Sequence, residues 1–152
     1  MLDSLKEYLT KTNEYILEHD DRIDGRLGQR LESFGKDEYV CSYPVEPWMA
    51  NPSGFLHGGI TTAMFDQAMG LLSIYSADGR PTPTIDIRVS YCRPIPVGTR
   101  LYIRSRMMVT GRTMVQTQAE AWVEDRPEAV AAYASAAYHI IKKDHFLSEP
   151  ER

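Results

Sequence analysis

The stretch GGITTAMFDQAMGLLSIYSA, residues 58–77, carries one charge, Asp66, among twenty residues. Its apolar side chains cover most of a helical circumference rather than one stripe, so it reads as a helix from about Gly58 to Tyr75, buried on most sides. An unpartnered ionised carboxylate is costly in such a place. Asp66 is therefore paired, solvated by a cleft, or protonated, and each of these marks a candidate site. The structural alternative is a gap in the packing, or a neighbouring Thr or backbone group that satisfies the acid.

Upstream, NPSG (51–54) is turn chemistry. The helix that follows opens on Gly58 and Gly59, whose backbone N–H groups lie in the first turn. Donors there lack partners inside the helix and the dipole favours negative charge, so the position suits a carbonyl oxygen that is gaining charge. Asn51 and His57 flank the turn and can donate further hydrogen bonds. Gly58 and Asp66 are nonetheless separated by ~12 Å of helix at ~1.5 Å per residue. A nucleophile works at ~3 Å from its target. If both serve one reaction, Asp66 comes from a second copy whose helix runs antiparallel alongside, which predicts a two-fold dimer with two composite sites.

Outward from this helix the hydrophobic period defines the remaining elements. Residues 3–18 place Leu5, Tyr8, Leu9, Tyr15 and Ile16 at helical spacing, the mark of an amphipathic helix, and DDRIDGRLG (20–28) reads as a loop. EYVCSYPVE (38–46) has strand composition. After ADGRPTP the period changes to two: TIDIRVSY (84–91) alternates apolar and polar residues. RLYIRSRMMV and MVQTQAEAWVE repeat that alternation around a TGRT turn (110–113), and a last strand is predicted from Ala129 to Ile141 despite its alanines. The chain divides into an N-terminal helical segment (1–35), an α+β domain (36–143) whose antiparallel sheet covers the central helix, and a C-terminal tail (144–152).

A length of 152 residues suits one domain with a core of its own. The N-terminus reads as neither signal peptide nor membrane span, so the cytoplasm is the expected compartment. Cys41 and Cys92 stand in no metal-ligand spacing and are expected as buried thiols. His19, His57, His139 and His145 are scattered, and no metal site is predicted. A net charge of -4 argues against nonspecific binding to nucleic acid or an acidic membrane. Between Arg80 and Arg112, however, seven arginines face one acid, Asp86. That segment either binds a small polyanion or exposes arginine on the wet face of strands.

At NPSGFLHGG, followed seven residues after its last Gly by the Asp of FDQA, the sequence resembles the hotdog-fold acyl-CoA thioesterases of the phenylacetate-degradation (PaaI-like) group. The resemblance covers about residues 38–141, including TIDIRVSYCRP and TGRT. It implies a hotdog fold, an antiparallel sheet wrapped around a long central helix, and hydrolysis of an acyl-CoA to free acid and coenzyme A. Asp66 matches the catalytic acid, acting as general base or nucleophile, and Gly58 the oxyanion donor. Asn51 and His57 match residues that hold the thioester end and the loop. Thr84 falls where a Ser or Thr orients water. Tyr91–Pro96 and Val109–Thr113 match coenzyme A-channel segments, so Gly59, Tyr91, Arg93, Gly111, Arg112 and Thr113 are candidate substrate contacts. No cofactor is implied, coenzyme A being part of the substrate, and the expected assembly is a homodimer or a tetramer built from dimers. The alternatives are a hotdog hydratase or dehydratase and a non-catalytic acyl-CoA-binding module.

Overall fold

The computed structural model describes residues 4–142. The described residues fold into a six-stranded antiparallel sheet and three α-helices. Helix α1 (Leu5–Leu17) and the short α2 (Ile23–Leu27) precede β1 (Arg30–Gly35) and β2 (Glu38–Pro44). A 3-10 turn (Pro47–Met49) leads to α3 (Gly58–Ser76), then β3 (Thr84–Tyr91), β4 (Arg100–Thr110), β5 (Met114–Val123) and β6 (Val130–His139). The sheet order is β1-β2-β4-β5-β6-β3. Both the long helix and the strands after it form as the period predicts.

Two elements depart from the sequence reading. Part of the expected loop at 20–28 is the helix α2, and Arg30–Gly35 is a strand that pairs with β2, so the sheet extends back into the N-terminal segment. The expected tail at 144–152, with His145, lies outside the described residues.

Helix α3 crosses the inner face of the sheet and supplies much of the core: Met64, Phe65, Ala68, Met69 and Leu72 are all fully buried. Burying each large apolar side chain is worth about 1.5–3 kcal/mol, so this helix anchors the fold. The alanines of the last strands have their explanation here. Ala119, Ala121, Ala134 and Ala136 are buried, which leaves room for the bulky helix, while Tyr133 and Ser135 alternate outward into solvent.

Tyrosines fix the helix at its depth. Tyr39 and Tyr43 of β2 are buried. Tyr39 OH donates to the Ala68 carbonyl (2.7 Å), and Tyr43 OH to Gln67 Oε1 (2.9 Å). Gln29, just after α2, donates from Nε2 to Tyr43 OH (2.9 Å), and Gln67 Nε2 to the Asp24 carbonyl (3.4 Å). The chain of bonds ties the N-terminal segment to the residue beside Asp66. Burial raises the pKa of both phenols well above the ordinary value, so they stay protonated as donors.

The outer face of the sheet resolves the arginine segment. Arg104 pairs with Glu120 (3.1 Å) and Arg106 with Glu38 (3.1 Å), Arg100 donates to Ser42 Oγ (2.9 Å), and the Arg104 guanidinium lies 5.1 Å from the Trp122 ring centre. These arginines cover a strand face and meet acids distant in sequence. Such exposed pairs contribute little stability, about 0–1 kcal/mol each. Cys41 is buried as expected, its thiol pushed up to about 12 chiefly by desolvation, but Cys92 is exposed because it lies just past the end of β3.

Helix α2 sits directly on the end of α1. A Cβ on Gly25 would lie 2.3 Å from the His19 carbonyl oxygen and 2.5 Å from that of Ile16, both backbone atoms. Gly25→Ala is therefore expected to cost about 2 kcal/mol or more and to lower the thermal midpoint, as read by calorimetry; an unchanged midpoint would refute this packing.

Candidate active site

The hydroxyls around Asp66 come from the two strands at one end of the sheet. Asp66 lies two turns into α3, half-buried. Thr84 Oγ1, at the start of β3, donates to Asp66 Oδ1 at 2.8 Å. Tyr138 OH, near the end of β6, donates to the same oxygen at 3.1 Å and lies 3.3 Å from the Asp66 carbonyl oxygen. Thr84 and Tyr138 are register partners, so the pairing of β3 with β6 delivers both donors together. Burial first, and then the Asp66 carboxylate, raise the Tyr138 pKa far above the ordinary phenol value. From α2, Asp24 faces the same region, and desolvation followed by the Asp66 charge raises its carboxyl.

Sequence reasoning missed Tyr138. It stands inward in a strand of small residues, and period-two alternation marks such a position as core. Its one signal was a hydroxyl on a bulky inward residue among alanines.

The other half of the candidate set lies at the N-terminus of α3. Asn51 closes the preceding loop: its Oδ1 accepts from Ser53 N (2.9 Å) and Phe55 N (3.1 Å), and its backbone N–H donates to the Phe55 carbonyl (2.7 Å). His57 is the helix cap, its Nδ1 accepting from Gly59 N at 2.9 Å. That bond puts the ring proton on Nε2 and uses the Gly59 donor internally. Among the described residues no acceptor takes the Gly58 N–H, which leaves it an open donor of the first turn. The Gly58 carbonyl accepts from Tyr91 OH at 2.8 Å, and that hydroxyl also meets Thr62 Oγ1 at 2.6 Å. Tyr91 thus braces the turn. A Cβ on Gly58 would touch the Tyr91 ring at 3.4 Å.

The two halves are far apart within one chain. Gly58 is tied to Tyr91, the last residue of β3, and Asp66 to Thr84, the first. The arginines divide in the same way. Arg93 Nη1 bonds the Val130 carbonyl at the β3 C-terminal end of the sheet. Gly111, Arg112 and Thr113 form the exposed β4–β5 hairpin tip, where Ile140 N donates to the Thr113 carbonyl at the opposite end. Eight residues of strand, roughly 26 Å at ~3.3 Å each, lie between the two ends. Among the described residues no three His, Cys, Asp or Glu side chains cluster as a metal site, and no helix is long and apolar enough to cross a membrane.

Comparison with known proteins gives a matching family model, described as the thioesterase superfamily, over residues 53–130. Human acyl-coenzyme A thioesterase 13 is 25% identical over 123 residues, which cover 79% of this chain and 83% of that protein. Among solved structures, the E. coli PaaI protein from the phenylacetic acid degradation operon superposes with a TM-score of 0.76 at 19% identity, covering 91% of this chain and 97% of that one. A Streptococcus mutans protein bound to acetyl CoA gives 0.68 at 24% identity, covering 75% and 89%. These structural matches carry the fold, a hotdog arrangement.

The His57 cap is a local feature that can be checked by itself. His57→Ala is expected to cost about 1 kcal/mol in chemical denaturation, the usual loss for a removed helix cap. A stability equal to wild type would show that the Gly59 bond contributes nothing.

Proposed function

The chain belongs to the thioesterase superfamily, and from that premise we propose that it hydrolyses an acyl-coenzyme A to a carboxylic acid and free coenzyme A in a site shared by two copies. The observation that carries this reading is the half-site geometry: an acid held at one end of β3 and an open backbone donor at the other.

Pairing of two copies resolves the distance. Strand β3 is an edge of the sheet, and its outer side has no partner strand among the described residues. Antiparallel pairing of two such edges about a two-fold axis brings the Thr84 end of one copy beside the Tyr91 end of the other. Asp66 of one chain then meets the Gly58 turn of the second. The same operation brings Arg93 of one chain toward the hairpin tip with Arg112 of the other, a two-sided basic cradle suited to the phosphates of coenzyme A. The S. mutans neighbour, bound to acetyl CoA, is in keeping with that substrate.

In the reaction the thioester carbonyl oxygen accepts from the Gly58 N–H, which stabilises the charge that develops there. Asp66 acts as general base: its carboxylate takes a proton from water as the water oxygen bonds to the carbonyl carbon. The carbon–sulfur bond then breaks, the acyl group leaves as the acid, and the sulfur takes the proton as coenzyme A thiol. Attack by the carboxylate itself, through a mixed anhydride that water hydrolyses, uses the same groups. Thr84 orients the acid and its water, and Asn51 and His57 keep the donor turn in shape. Neither route calls on a cofactor.

Two measurements test the reading. Thiol release from a panel of aromatic and aliphatic acyl-CoAs is expected to fall at least about 100-fold in Asp66→Asn with coenzyme A binding retained; full activity in that variant would end the proposal. Gly58→Pro deletes the open donor at a first-turn position where proline is tolerated, and is also expected to be inactive. Mixing Asp66→Asn and Gly58→Pro chains should restore about a quarter of wild-type activity, because half the dimers carry one intact composite site. No restoration would place both groups in sites that one chain completes alone.

A further inference from the structure

The two oxygens of Asp66 are not equivalent. Oδ1 accepts from both Thr84 Oγ1 (2.8 Å) and Tyr138 OH (3.1 Å), whereas among the described residues no donor reaches Oδ2. A carboxylate oxygen that accepts two hydrogen bonds is a poorer proton acceptor and is fixed in position. Tyr138 is buried to 1% exposure, so its ring cannot swing away, and its second contact at the Asp66 carbonyl (3.3 Å) sets the hydroxyl over the helix backbone.

We propose that Tyr138 is a positioning residue for thioester hydrolysis: with Thr84 it ties down Oδ1 of Asp66 and leaves Oδ2 as the one oxygen that works on water or thioester. This rests on the reading of Asp66 as the acid of the reaction. Thr84 sits at an exposed edge, where substrate and a second copy both arrive; Tyr138 acts from inside the core and belongs wholly to the chain that carries the acid. Burial and the neighbouring carboxylate keep the phenol protonated, so the donor persists across the range in which the enzyme operates.

The experiment compares kcat and KM for thiol release by wild type, Asp66→Asn, Tyr138→Phe and Thr84→Val, with thermal midpoints recorded for each. Tyr138→Phe should lower kcat about 10- to 100-fold with KM within about twofold, since a misaligned base loses turnover rather than binding. Unchanged kcat, or a lower kcat with KM raised in proportion, overturns the proposal and leaves Tyr138 a packing residue. If Tyr138→Phe does not fold, Thr84→Val decides: it removes the other donor to Oδ1 from an exposed position. Its kcat should fall in the same way with KM retained, and an unchanged kcat overturns the held-oxygen arrangement. Should Asp66→Asn retain full turnover, the catalytic reading itself fails; a collapse in Asp66→Asn without an effect in Tyr138→Phe removes only the role of Tyr138.

Discussion

One carboxylate on an otherwise apolar helix governs the arrangement of this protein. Asp66 is tolerable on α3 only because two strands end beside it with hydroxyls turned inward, and those strands are neighbours only because the last strand of the sheet returns to pair with the first one after the helix. The cost of leaving a half-buried charge unpaired is several kcal/mol, comparable with the whole stability of a domain this size. Sheet order, register and the depth of the helix therefore have to agree within a fraction of an ångström. The tyrosines of β2 supply that agreement from the far side, bonding to the helix at Ala68 and Gln67, the two residues after the acid.

Much of this was legible in the sequence, and the reason differs from residue to residue. Asp66 stood out because a lone charge in an apolar helical run is anomalous whatever the fold. Gly58 followed because a glycine pair opens that run, and the strands followed from their alternation. Tyr138 was hidden, since an inward tyrosine in an alternating strand carries the same pattern whether it fills space or holds an acid. β1 was hidden for another reason: its register shifts between Leu31 and Ser33, which breaks the period of two, and its residues are mostly exposed. Five-residue α2 is shorter than any window in which helical periodicity can be counted.

The arginine segment shows where counting along the chain misleads. Seven arginines in a row of thirty-three residues look like one electrostatic feature. In three dimensions the strand alternation distributes them, and acids outside the segment, Glu38 and Glu120, pair with Arg106 and Arg104 on the outer face. Arg93 and Arg112, which pair with no carboxylate among the described residues, lie at opposite ends of the sheet. Charge that is local in sequence is dispersed by a sheet.

The free edge of β3 also bears on how a single chain behaves in solution. A lone molecule presents an eight-residue edge strand whose outward backbone donors and acceptors are open and whose Ile85 is half exposed, a template for pairing with extended segments. Newly made protein, which meets such segments in other unfolded chains, is thus open to misassembly at this edge, and whatever covers the edge also protects against aggregation.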